Sequence, residues 1–193
     1  MPRIIDRSGL SPAFPTHRQD ASFWEALGRA IAAFGFLESP LQRAILALSG
    51  DQPAPEDEAE RQAALDAWQK DLEGALKATI GLLAAGFERA VNNHPRADKD
   101  YAAQVIADIR ATAPLRNAIC HACWQPVSAV VAQPFFVSRN LEVLESEIDI
   151  AWLEQLHRHV AQLALDVIDT VTATGLAFPG TTDRSQTSGR GEG

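Results

Sequence analysis

The sequence predicts a mainly α fold: an antiparallel bundle of four to five helices, with a small β-hairpin inserted before the last helix. Three observations carry this. Apolar residues recur at three- and four-residue steps over several long stretches. Gly50, Pro55, Pro95 and Gly175 punctuate those stretches. The period shortens to that of strands only between residues 130 and 145. At 193 residues and 46 % hydrophobic content the chain can bury a real core, so one domain over 22–175 is expected. A flexible arm over 1–21 and a disordered tail over 176–193 would flank it.

The arm holds three prolines and no clear periodicity. Ser22-Phe23-Trp24-Glu25 has the spacing of a capping box and opens a first helix that runs to about Leu48. Its stripe is Phe23, Leu27, Ile31, Phe34, Leu41, Ile45 and Leu48, and Pro40 should kink or split it. The next inward slot after Phe34 falls on Glu38, a carboxylate that needs a partner if it faces the core. A second long helix is expected from about Glu56 to Asn92, with Leu65, Trp68, Leu72, Ala75, Thr79, Leu83 and Phe87 inward, ended by Asn92-Asn93-His94-Pro95. Asp98 then caps a shorter helix to about Ala111. Pro114 suits the first turn of another, which ends near Trp124-Gln125-Pro126. Residues 130–137 and 141–145 read as two strands joined by a turn at Ser138-Arg139-Asn140, with Pro134 marking an edge. Asp149 caps the last helix, whose stripe is Leu153, Leu156, Val160, Leu163, Val167 and Val171, and Gly175 closes it.

Composition narrows the function. A net charge of −8 argues against broad, non-specific nucleic-acid binding, while leaving room for a small basic site. Residues 51–73 carry eight acids against Arg61 and Lys70, which reads as a solvated helix face. No apolar run approaches the roughly 20 residues that span a bilayer, and Met1-Pro2-Arg3-Ile4-Ile5-Asp6 does not resemble a signal peptide. The expected compartment is the cytoplasm, without a membrane partner. Two cysteines, Cys120 and Cys123, fit it. They are too close for a fold-closing bridge, and on a helix a disulfide between them would be strained, so reduced thiols are expected.

The segment with chemical content is Arg116-Asn117-Ala118-Ile119-Cys120-His121. On a helix, Asn117 and His121 are four apart and share a face, and the long Arg116 stem reaches the same mouth. With Pro114 starting the helix, these residues would sit in its first turns, where open N–H groups attract an anion. Arginine could hold a phosphate by a bidentate fork and stabilise charge on its oxygens, while histidine moves protons. No metal or cofactor is required.

This segment resembles the signature of the HEPN superfamily: an arginine, a polar residue that is often asparagine, then a histidine four to six positions after the arginine. The resemblance implies a four- or five-helix bundle with the motif on a late helix. It also implies a metal-independent endoribonuclease acting as a homodimer on RNA, with a toxin–antitoxin or phage-defence partner protein. Attack by the RNA 2′-hydroxyl would leave a cyclic phosphate. Carried over, Arg116 and His121 would be catalytic, Asn117 would orient them, and Glu38 would match a first-helix glutamate of the family. Some members of the family are inactive assembly or ligand-binding modules, so a non-catalytic helical dimer is the alternative. On that alternative Arg116 bridges to Glu38, His121 is satisfied in the core and Asn117 caps its helix.

The remaining signals are weaker. Cys120-His121-Ala122-Cys123 lacks the further ligands a zinc site needs, since His157 and His159 stand two apart on a helix. Trp24, Trp68, Trp124 and Trp152 read as packing residues, with Trp124 close enough to the motif to stack on a base.

Overall fold

The computed structural model describes residues 9–137, 143, 144 and 146–180. These residues are mainly helical, with five helices among them and a small antiparallel sheet before the last, as the periodicity predicts. The helices are α1 Ala21–Gly50, α2 Glu58–Leu76, α3 Ile80–Asn93, α4 Lys99–His121 and α5 Ile150–Thr172. The strands are β1 Cys123–Pro126, β2 Val131–Val137, β3 Val143–Leu144 and β4 Ile148–Asp149. The expected turn at 138–140, the first residues of the arm and the end of the tail lie outside the described residues.

The chain divides into two compact units. The first combines Met1–Gly35 with Pro114–Val160. Phe23, Ala26, Leu27 and Ala30 of α1, Ala118 and Ile119 of α4, Ala132 and Ile148 of the sheet, and Leu153, Leu156 and Val160 of α5 are buried here. Phe23 has no exposed surface and meets Trp24 and Trp124 edge-on, at ring-centroid distances of 5.4 and 5.6 Å. α1 begins at Ala21, so Ser22 lies inside it and Glu25 pairs with Arg29 at 2.6 Å instead of closing a capping box. Part of the arm is tied down. The Trp24 indole N–H donates to the Thr16 carbonyl at 2.9 Å, and the Asp20 N–H donates to the Ala129 carbonyl at 2.7 Å.

The sheet differs from a two-stranded hairpin. β2 is central, not an edge: β1 pairs along one side, with Cys123 opposite Phe135 and Pro126 opposite Ala132. On the other side β3 and β4 pair with β2 in one unbroken register, Phe136 with Leu144 and Ala132 with Ile148. Continued across the gap, that register puts Ser146 opposite Pro134. The proline, which cannot donate to a ladder, stands where the pairing is interrupted. β2 buries Ala132 and Pro134 on one face and exposes Phe135 and Val137 on the other.

The second unit combines Phe36–Ala113 with Ala161–Gly193. Most of its core comes from four helices: Leu37, Leu41, Ala44 and Leu48 of α1, Ile80, Leu83, Phe87 and Val91 of α3, Ala102, Val105, Ile106 and Ile109 of α4, and Leu163, Ala164, Val167 and Val171 of α5. α2 contributes only Ala75, while Leu65 and Leu76 are exposed. The expected single helix over 56–92 is broken at 77–79. The Lys77 and Ala78 N–H groups turn back to the Gly74 and Ala75 carbonyls, and Thr79 takes an extended conformation as the N-cap of α3. Asp57, Asp98 and Asp149 cap α2, α4 and α5, accepting from the N–H groups of Glu60, Tyr101 and Trp152 at 3.0, 3.0 and 2.7 Å. Gly175, at φ +87°, follows the end of α5 in the left-handed conformation that glycine tolerates best.

Both prolines expected to break helices lie inside unbroken ones, Pro40 in α1 and Pro114 in α4. An interior proline costs about 3 kcal/mol or more. Fully buried Leu37 and Leu41 flank Pro40, and buried Ile109 and Ala118 flank Pro114, so each helix is anchored by apolar burial before and after its proline. By length and composition α1 also qualifies as long and apolar enough to cross a membrane, with a mean hydropathy of 1.3 in its best window. Phe23, Leu27, Phe34, Leu37, Leu41 and Leu48 are buried while Phe36 is exposed, and the core helix of a globular protein passes the same test.

Candidate functional site

The motif occupies the last two turns of α4. Pro114 does not start a helix, so Arg116–His121 lies at a C-terminal end, away from the open N–H groups of a helix start. The expected backbone cradle for an anion is therefore absent there, and any phosphate would be held by side chains alone. The helix geometry fixes which side chains those are. Ala118 and Ile119 are buried, whereas Asn117 and His121, one turn apart, are exposed. Arg116 is half-buried, and its Nη1 donates to Asn117 Oδ1 over a long 3.5 Å. Among the described residues neither Arg116 nor His121 forms an ion pair. A guanidinium, an amide and an imidazole thus share the solvent-facing end of one helix.

The supporting residues fare differently. Trp124 follows on β1, half-buried, with its ring against Phe23, so its first role is to pack β1 onto α1. Glu38 is half-exposed in the second unit, and the inward slot that the stripe assigned to position 38 is filled by Leu37, which has no exposed surface. The stripe advances by three residues from Phe34 to Leu37 and then by four to Leu41, which is ordinary helical drift. Glu38 is therefore not a misplaced core carboxylate, and it forms no ion pair among the described residues.

A second polar constellation escaped the sequence reading. His94, after α3, has no exposed surface. Its Nε2 lies 3.0 Å from Asp51 Oδ2, and the Arg96 guanidinium reaches the same oxygen at 2.6 Å. The Arg96 backbone N–H donates to His94 Nδ1 at 3.3 Å. Nδ1 is therefore the acceptor, and Nε2 carries the proton it shares with Asp51. The hydrogen bond from His94, reinforced by Arg96, holds the Asp51 carboxyl below its ordinary value of 3.8. Both ring nitrogens are occupied and the ring is sealed, so this is a structural clamp joining the end of α1 to the α3–α4 turn. Two residues 43 positions apart leave no local sequence signal of such a pairing.

Clefts lie elsewhere among the described residues. One of about 360 Å³ in the first unit runs between the Glu25–Arg29 and Glu154–Arg158 pairs, beside His157. Another of about 520 Å³ in the second unit is lined by Trp68, Leu72, Leu82 and Gly86. Cys120 is half-exposed and Cys123 exposed, both as thiols. Among the described residues no group of three or more His, Cys, Asp or Glu side chains is placed to hold a metal. No family model, curated protein or solved structure matches the chain.

Proposed function

We propose that the end of α4 carrying Arg116, Asn117 and His121 is a metal-independent RNA-cleaving site of HEPN type. The protein would act as a homodimer in a toxin–antitoxin or phage-defence setting. One observation carries this reading: a guanidinium without an ion pair among the described residues shares an accessible helix end with an imidazole. Arg116 would bind the scissile phosphate through its fork and neutralise the charge that builds on the phosphorus oxygens. Asn117, already in contact with Arg116, would orient it. His121 would take the proton from the attacking 2′-hydroxyl or return one to the leaving 5′-oxygen. Trp124, partly exposed and three residues beyond His121, would stack on a neighbouring base. An acidic chain suits a nuclease that grips one or two phosphates locally and binds nucleic acid weakly elsewhere.

The test is RNA decay in EDTA, comparing wild type with His121→Ala. Decay by wild type alone supports the reading. Equal decay by both proteins, or none by either at high concentration, rejects it. Arg116→Ala separates a binding arginine from a structural one. Half-buried and without an ion pair among the described residues, Arg116 should change stability by no more than about 0.5 kcal/mol on replacement, measured by urea unfolding. A loss of about 3–5 kcal/mol would mark it as half of a buried bridge.

A further inference from the structure

Cys120 and Cys123 flank His121, and the helix strain that would keep them apart does not apply. The Ala122 N–H bonds the Ala118 carbonyl at 2.8 Å, which closes the last turn of α4. Cys123 then leaves the helix as the first residue of β1, opposite Phe135. Ala122, between them, belongs to neither element, so the backbone can adjust there. The two cysteines are three positions apart across the junction of α4 and β1, and a disulfide needs their Cβ atoms about 3.5–4.5 Å apart. Closing the bond asks the backbone to adjust at Ala122, outside the ladders of both elements. Both thiols can be reached: Cys123 is exposed and Cys120 half-exposed.

We propose that Cys120 and Cys123 form a reversible intramolecular disulfide that controls the His121 site. The bond stands on the placement and accessibility of the two thiols alone, while its effect on cleavage rests on the nuclease reading above. The oxidant is a low-molecular-weight disulfide such as oxidised glutathione. The thiolate of the more exposed Cys123 attacks one of its sulfurs and releases one glutathione thiolate. The thiolate of Cys120 then attacks Cys123 Sγ in the mixed disulfide and expels the second glutathione. Two protein thiols are oxidised, one disulfide is reduced to two thiols, and the two protons pass to the glutathione products. The bridge spans only two intervening residues, one of them His121. Closing it displaces the last turn of α4, which presents the imidazole beside Arg116, and its strain makes it easy to reduce again.

The full chain is equilibrated at graded ratios of reduced to oxidised glutathione, quenched in acid, and analysed by thiol labelling and intact mass. Both thiols of the wild type should disappear together, leaving a monomer lighter by two hydrogens. Cys120→Ser and Cys123→Ser should each yield only a glutathione adduct. Independent titration of the two thiols, adducts on both cysteines, or cross-linked chains alone would overturn the disulfide. RNA cleavage is then compared in the oxidised and reduced states. Oxidation should lower the wild-type rate on the order of tenfold or more, reversibly with dithiothreitol, because small displacements of catalytic groups are costly. Cys120→Ser should cleave equally in both buffers. A wild-type disulfide without effect on cleavage would overturn its control of the site. Absence of cleavage in both states would reject the nuclease reading and that control with it, while the thiol measurements still decide the bond.

Discussion

Replacing His94 with alanine is expected to lower unfolding free energy by about 2–4 kcal/mol, read from urea denaturation at neutral pH. The ring is fully buried, so its removal leaves a cavity, strips Asp51 of a donor and leaves the Arg96 N–H without its acceptor. A loss within about 0.5 kcal/mol would show that the clamp is incidental. The same cluster sets a pH dependence. The carboxyl of Asp51 is held below 3.8, chiefly by the His94 hydrogen bond and then by Arg96. Its contribution is therefore fully present above 3.8 and is lost as pH falls through the lowered folded-state value. Asp51→Asn should flatten the fall in stability between pH 3.8 and lower values relative to wild type. An unchanged acid profile would place the titration elsewhere.

Replacing His121 with alanine is expected to lower RNA cleavage by about 10²–10⁴-fold without a matching loss of stability. That is the range a positioned proton-transfer group supplies. The separation of effects follows from the geometry: His121 is exposed on the last turn of α4, and its neighbours Ala118 and Ile119 carry the packing. Initial rates on a fixed RNA, with urea unfolding in parallel, check both halves. If His121→Ala loses cleavage only in proportion to lost folded protein, the imidazole has no chemical role.

The helices were legible because their stripes are long. Leu153 through Val171 and Phe23 through Leu48 each repeat for several turns, and tertiary burial reinforces the pattern. The boundaries were less legible, for reasons particular to each. The break at 77–79 is invisible to periodicity because Ala75 and Leu83 lie eight residues apart and stay in phase across it. Pro40 and Pro114 looked like stops because sequence shows the local cost of a proline and not the burial that offsets it before and after. β1 is four residues long and begins two residues beyond a helix, too short for alternation to register. Pro134 suggested an edge, but a central strand accepts it because the partner ladder is interrupted opposite it.

The candidate site follows the same division. That Asn117 and His121 share a face could be read from their spacing, and the helix shows it. Which end of the helix they occupy could not be read, since that turned on Pro114. Glu38 entered through a single-residue error of phase, Leu37 holding the inward position instead. The Asp51–His94 clamp depends on a tertiary meeting that no local pattern encodes.

The central claim, that Arg116 and His121 together handle a phosphodiester, is tested most directly by the product chemistry of wild-type protein in EDTA. An RNA and the same sequence fully 2′-O-methylated are incubated side by side and their ends analysed. The account predicts that the RNA is cut to fragments ending in a cyclic phosphate while the methylated strand stays whole. Cutting of both strands, or survival of both at high protein concentration, would contradict it.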